Sequence, residues 1–171
     1  MLSRSDPGPI GRLRYIQAMS DDEITDLVQV RLYYDFASTL CYVAHRVLSE
    51  IGDRIRALGV ELEWCPIDLT MIVPWNRGDS FPPEVRGAVH ATAQALGVDV
   101  EMPDPWLDSR PASNLALTLG SKADEARWRD AVFTSIYRER RFELPSALVE
   151  LARELTGRES PLVEVEPAPV V

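Results

Sequence analysis

The sequence predicts an α/β fold built on one parallel βαβ unit that is followed by helices. Residues 29–37 are rich in β-branched and aromatic side chains, as in a strand. Residues 39–58 carry apolar side chains every three or four positions, as in a helix that ends before Gly59. Residues 60–67 alternate apolar and acidic side chains, as in a second strand. Two strands joined by one helix are expected to be parallel neighbours whose carboxyl ends share one edge of the sheet.

Composition limits the class of protein. The chain has 171 residues, 46% of them hydrophobic, which is enough for one globular domain with a core. Eighteen basic residues against 27 acidic ones give a net charge of -9, which argues against nucleic-acid binding. No apolar run approaches the roughly 18 residues of a membrane span. The N-terminus lacks the apolar stretch of a secretory signal. We therefore expect a cytoplasmic protein with neither a membrane nor a nucleic-acid partner.

Four segments follow from the pattern of turns and helices. Residues 1–28 form an N-terminal arm, broken by prolines and glycines, with a short helix expected from Ser20. Residues 29–70 form the βαβ unit, and residues 71–157 a long connection and a helical region. Residues 158–171 form a Pro-rich tail. The helices of the third segment are predicted at 84–96, 111–119, 123–139 and 145–156.

The junction between the first strand and its helix carries the candidate chemistry. Ser38 and Cys41 lie at the start of the helix, where free backbone N–H groups and the helix dipole favour negative charge. Ser38 can stabilise a thiolate or serve as an ordinary N-cap. Cys41 can be a thiolate of lowered pKa or a small buried residue. His45 lies one turn further on and could tune the thiol, although a histidine on a helix is more commonly exposed.

The remaining candidates lie at the end of the second strand and beyond. Cys65 is expected to be a buried strand residue, and a disulfide with Cys41 is a conceivable alternative. Two cysteines and two histidines at these spacings predict neither a disulfide scaffold nor a metal site. Trp75, Asn76 and Arg77 lie in a connection long enough to be functional and could hold a polar ligand. The alternative is that they are ordinary loop and packing residues.

Several segments resemble one known family. Asp35-Phe36-Ala37-Ser38-Thr39-Leu40-Cys41-Tyr42 resembles the active-site segment of DsbA-like thioredoxin-fold proteins. That family includes DsbA/FrnE-type thiol oxidoreductases, 2-hydroxychromene-2-carboxylate isomerases and kappa-class glutathione transferases. Trp64–Leu69 resembles its second strand, and Asp108–Ala112 resembles the start of its inserted helices. The resemblance implies a thioredoxin-like βαβ core with an inserted all-helical subdomain, and with the second half of the thioredoxin sheet missing.

The resemblance also implies a function. Ser38 stands where an oxidoreductase of this family has its attacking cysteine, and resembles the serine that binds the thiol of glutathione in the isomerases and transferases. A glutathione-dependent enzyme acting on a small molecule is therefore expected. Ser38 and Cys41 would be catalytic, and Trp75, Asn76 and Arg77 would bind glutathione or substrate. Two alternatives stay open: a thiol–disulfide oxidoreductase of DsbA/FrnE type, and a non-catalytic, truncated interaction domain. Exposed sheet edges would also permit a homodimer.

Overall fold

The computed structural model describes residues 27–140 and 145–157. The helix expected from Ser20 and the tail at 158–171 therefore lie outside the described residues. The described elements are β1 (Val28–Tyr34), α1 (Thr39–Ala57), β2 (Val60–Pro66), a 3-10 turn (Leu69–Met71), α2 (Pro83–Ala95), α3 (Arg110–Thr118), α4 (Lys122–Tyr137) and α5 (Pro145–Thr156).

The order and type of these elements confirm the predicted α/β architecture. Most boundaries lie within two residues of the predicted ones, but β1 ends three residues early, at Tyr34. The backbone turns there because the Asp35 carboxylate accepts a hydrogen bond from the Ala37 N–H at 2.8 Å. The Asp35 carbonyl accepts a second one from the Ser38 N–H at 3.1 Å. A side chain that bonds its own backbone two residues on favours a turn over a strand.

The two strands pair in parallel, as predicted, in a register that runs from Val28 opposite Val60 to Tyr34 opposite Pro66. Tyr34 and Trp64 lie on the face that packs against the helices, with their rings 5.8 Å apart. The neighbouring pair, Arg31 and Glu63, forms an exposed ion pair of 2.8 Å. Within residues 27–140 and 145–157, β1 pairs with β2 alone.

The core lies between this sheet and the helices, and aromatic side chains dominate it. Phe36, Trp128 and Phe133 are fully buried. The Trp128 indole N–H donates to the Ala112 carbonyl at 3.0 Å, which joins α4 to α3. The Tyr137 hydroxyl donates to the Phe36 carbonyl at 3.1 Å, which joins the end of α4 to the β1–α1 junction. The helical region therefore packs directly on the residues that position α1.

Candidate functional site

Ser38 is the N-cap of α1. Its backbone is extended, with φ -86° and ψ 113°, and its Oγ accepts a hydrogen bond from the Cys41 N–H at 3.4 Å. The first turn of this 19-residue helix contains no acidic residue, so no carboxylate there neutralises the positive end of the helix dipole. Ser38 itself is only half-buried. A partly exposed serine thus lies at a point where negative charge is favoured.

Asp35 holds this junction in place. Its carboxylate is 1% exposed and accepts hydrogen bonds from the Ala37 N–H, the Leu69 N–H and the Ser109 hydroxyl at 2.8, 2.8 and 2.5 Å. Burial raises the pKa of Asp35, and the hydrogen bonds from Ser109, Leu69 and Ala37 counteract part of that rise. The carboxylate thus ties β1 to the end of β2 and to the start of α3. The sequence signal for it is an acidic residue at the end of an apolar run, a pattern that by itself does not indicate a role.

Cys41 is a half-buried residue that packs against the core. Burial raises the pKa of its thiol, and the hydrogen bond with Ser38 offsets only part of the effect. The direction of this shift favours the alternative in which Cys41 is a small buried residue. Burial also raises the pKa of Cys65, which is half-buried rather than fully buried. Both thiols are free, so the conceivable Cys41–Cys65 disulfide is not formed.

His45 is buried at 4% exposure, so the expectation of an exposed helical histidine was wrong. Its Nε2 lies 3.2 Å from Asp130 Oδ1, and its ring stacks on Phe133 at 5.1 Å. Burial lowers the pKa of His45, although the hydrogen bond with Asp130 acts in the opposite direction. The described partners of the His45 ring are Asp130 and Phe133 of α4 and Trp64 of β2. The thiol of Cys41 is not among them.

The three loop candidates make contacts within the loop region. Arg77 forms ion pairs with Asp68 and, at 3.2 Å, with Asp108. The Asn76 N–H donates to the Asp79 carboxylate at 2.7 Å. Trp75 packs against Phe81 and Trp106, with ring centroids 5.7 and 6.2 Å away. Their role in binding a ligand stays a prediction.

Of these three residues, Arg77 is connected to Ser38 by a series of polar contacts. Its partner Asp68 directly precedes Leu69, whose N–H is bonded to the Asp35 carboxylate. The Asp35 carbonyl in turn accepts from the Ser38 N–H. Arg77 is therefore connected to the edge of the sheet at which Ser38 lies. The carboxyl ends of β1 and β2 share this edge, as predicted.

A cavity of about 690 Å³ borders the first turn of α1. Thr39, which directly follows Ser38, and Tyr137 lie in its wall. His90 from α2, Met102 and Arg138 line other parts of it. This volume lies within the range of about 300–1,000 Å³ that is typical of small-molecule sites. Among residues 27–140 and 145–157, no group of His, Cys, Asp and Glu side chains could hold a metal ion.

The described helices also include none that is both long and apolar enough to cross a membrane.

A parallel βαβ unit with a serine-capped helix, followed by packed helices, defines a thioredoxin-like fold with a helical insertion. A solved structure of 2-hydroxychromene-2-carboxylate isomerase shares it, with a TM-score of 0.56 and 24% sequence identity. The match covers 76% of this chain and 66% of the isomerase chain. At this identity, the similarity establishes the fold. No protein-family model and no curated protein sequence matches the chain.

Proposed function

We propose that this chain is a glutathione-dependent enzyme of the isomerase or transferase type, in which Ser38 binds the sulfur of glutathione. The observation that carries the proposal is the half-buried Ser38 hydroxyl at the N-terminus of α1. Its oxygen accepts from the Cys41 N–H, and its hydroxyl can rotate to donate its proton to a bound anion instead of to the Cys41 sulfur. A thiolate at this position also gains from the helix dipole.

The chemistry follows from the ionisation of the thiol. A free thiol has a pKa well above 7, so most of it is protonated at neutral pH. A hydrogen bond from Ser38 and the helix dipole would favour the thiolate, which is the nucleophile. In an isomerase, this thiolate adds to an unsaturated carbon, the weakened bond rotates, and elimination regenerates glutathione. In a transferase, the thiolate instead displaces a leaving group from an electrophile and stays bonded to the product.

The surroundings of Ser38 suggest where glutathione and its electrophilic partner would bind. The cavity beside Thr39 would receive the electrophilic small molecule. Arg77 and Asn76 would face the polar groups of glutathione, and Trp75 would pack against it. The side chain of Arg77 keeps 27% of its surface exposed while it pairs with Asp68 and Asp108, so it can face a ligand without losing these partners. Glutathione is abundant in the cytosol, which fits the proposed cytoplasmic location.

A thiol–disulfide oxidoreductase is less consistent with the site. Disulfide exchange requires an attacking thiolate. Ser38 occupies that position in α1, and burial raises the pKa of Cys41, the nearest thiol in sequence. A non-catalytic domain would retain the same fold but would have no affinity for glutathione, so a binding experiment separates the two.

The test is calorimetric titration of glutathione into the wild type, Ser38→Ala and Ser121→Ala. Ser121 is a matched control because it is the N-cap of α4, with its Oγ accepting from the Asp124 N–H at 3.1 Å. Each variant should lose about 1 kcal/mol of stability. Only Ser38→Ala should weaken glutathione binding, by about tenfold, the loss of one charge-assisted hydrogen bond.

S-methylglutathione provides a second control, because it cannot form a thiolate. Its affinity should be the same for the wild type and for Ser38→Ala. A folded wild type that does not bind glutathione would refute the proposal. So would a Ser38→Ala variant that binds glutathione as tightly as the wild type.

A further inference from the structure

A second cavity lies between α1 and α4, away from the Ser38 junction. The two helices contact each other where His45 meets Asp130. Beyond that contact, a cavity of about 780 Å³ lies between the C-terminal half of α1 and the N-terminal half of α4. Gly52 lies in its α1 wall, 14 residues from Ser38 and therefore about 20 Å away along the helix axis, at 1.5 Å per residue.

The unusual member of this cavity wall is Arg129. It is only 9% exposed, and its guanidinium carbon lies 4.4 Å from the centre of the Trp64 ring and 5.9 Å from that of Tyr34. Its Nε is buried and has no hydrogen-bond partner. No carboxylate in residues 27–140 and 145–157 forms an ion pair with it. The Tyr34 hydroxyl and the carboxylates of Glu125 and Asp130 interact favourably with the guanidinium, but without forming an ion pair. A buried cation without an ion-pair partner is costly, so a bound anion would be favoured at this point.

The other charges around the cavity limit the charge of the ligand. Lys122 is engaged by Glu61 at 2.8 Å, Arg56 by Asp53 at 3.1 Å, and Glu63 by Arg31 at 2.8 Å. Glu125 also lines the cavity and faces Arg129 without an ion pair. Because the carboxylates at the rim would repel a dianion, the single unpaired guanidinium suits a ligand with one negative charge.

The rest of the wall combines charged and apolar side chains. The apolar ones include Leu48 and Ile55 of α1, Leu62 and Trp64 of β2, and Leu117 of α3. A cavity of this size that combines apolar side chains with a few polar groups is typical of a small-molecule site. A planar carboxylate matches the planar donors of a guanidinium, which also stacks well on an aromatic ring.

We propose that this cavity binds an amphipathic monocarboxylate, with its carboxylate on Arg129 and its apolar body between α1, β2 and the end of α3. The site is separate from the one at Ser38 and does not depend on the proposed glutathione chemistry.

Calorimetric titration with octanoate and with octanol tests the proposal, because the two probes differ in charge and share an apolar body. The wild type should bind octanoate at least tenfold more tightly than octanol. Arg129→Met should lower octanoate binding to the level of octanol. This variant is expected to fold, since methionine fills a similar volume and removes a buried charge. Arg127→Met is the matched control, because Arg127 lies on the same helix but is exposed and paired with Asp124.

Three results would overturn the proposal: equal binding of the two probes by the wild type, octanoate binding that survives in a folded Arg129→Met variant, or no saturable octanoate binding by the wild type. Ser38→Ala should bind octanoate like the wild type. The octanoate titration thereby tests the proposed carboxylate site at Arg129 independently of the proposed glutathione site at Ser38.

Discussion

The buried carboxylate of Asp35 accepts a hydrogen bond of 2.8 Å from the backbone N–H of Leu69, and so links the end of β1 to the 3-10 turn that follows β2. The same carboxylate accepts from Ser109, 74 residues further along the chain. The position of Ser38, three residues after Asp35, thus depends on contacts with two distant parts of the sequence. The candidate site is held by a network of backbone and side-chain hydrogen bonds beneath it.

Replacing Asp35 by asparagine should therefore destabilise the fold. An amide has one acceptor oxygen, whereas donors approach both oxygens of the carboxylate. A buried N–H left without an acceptor should lower the free energy of unfolding by about 2–4 kcal/mol. Urea denaturation measures the loss. Asp53→Asn is the control, because the side chain of Asp53 is 98% exposed and its replacement should cost less than about 0.5 kcal/mol. Similar costs for the two variants would contradict the role given to Asp35.

The buried histidine should make stability depend on pH. Burial lowers the pKa of His45 in the folded protein below its ordinary value of 6.5, so the unfolded chain takes up the proton first. The contribution of His45 to stability is therefore present above pH 6.5 and is lost as pH falls through the lower pKa of the folded state.

Urea denaturation at several pH values, on the wild type and His45→Phe, measures this contribution. The slope of stability against pH below 6.5 should be smaller in His45→Phe. His90→Gln replaces the other histidine of the chain, which is exposed, and should keep the wild-type slope. The assignment would be wrong if His90→Gln, rather than His45→Phe, flattened the curve.

The two thiols should react slowly at neutral pH. Burial raises the pKa of Cys41 and of Cys65 above the ordinary value of 9.0, so little thiolate is present at pH 7. Alkylation by iodoacetamide, followed in the single-thiol variants Cys41→Ser and Cys65→Ser, should accelerate continuously up to and beyond pH 9.0. The unfolded chain in urea is the reference for each thiol. Rapid labelling of Cys41 at pH 6 would instead indicate an activated thiolate and reopen the oxidoreductase alternative.

Two glycines should respond oppositely to the same substitution. Gly59 ends the turn after α1 with φ of 75°, a conformation that residues with a Cβ adopt at a cost, so Gly59→Ala should lose about 1 kcal/mol. Gly52 lies within α1, and a Cβ there would meet no atom within 4 Å. Gly52→Ala should therefore gain up to about 1 kcal/mol from helix propensity. Thermal unfolding of both variants gives the signs, and a gain in Gly59→Ala would contradict the argument.

The secondary-structure elements could be predicted from the sequence, whereas the buried titratable side chains could not. The strands, their parallel pairing and the N-cap at Ser38 follow from local patterns and chain order, so they could be predicted. The burial of His45 could not, because it depends on Asp130 and Phe133, 85 and 88 positions away in sequence. Arg129 gave no signal either, since an arginine on a predicted helix is ordinarily exposed. The aromatic ring beneath it belongs to β2, which precedes it by 65 positions.

The hydrogen bond from the Tyr137 hydroxyl to the Phe36 carbonyl closes a loop of 101 residues. The parallel register, in contrast, pairs residues that are only 32 positions apart. Because closing a longer loop costs more entropy, the strand pairing and α1 should form before the helices dock on them. The hydrogen bond from Tyr137 to Phe36 then couples the helices, which dock late, to the βαβ unit, which forms early. The segments 29–70 and 71–157 should consequently unfold in one cooperative step rather than as independent units.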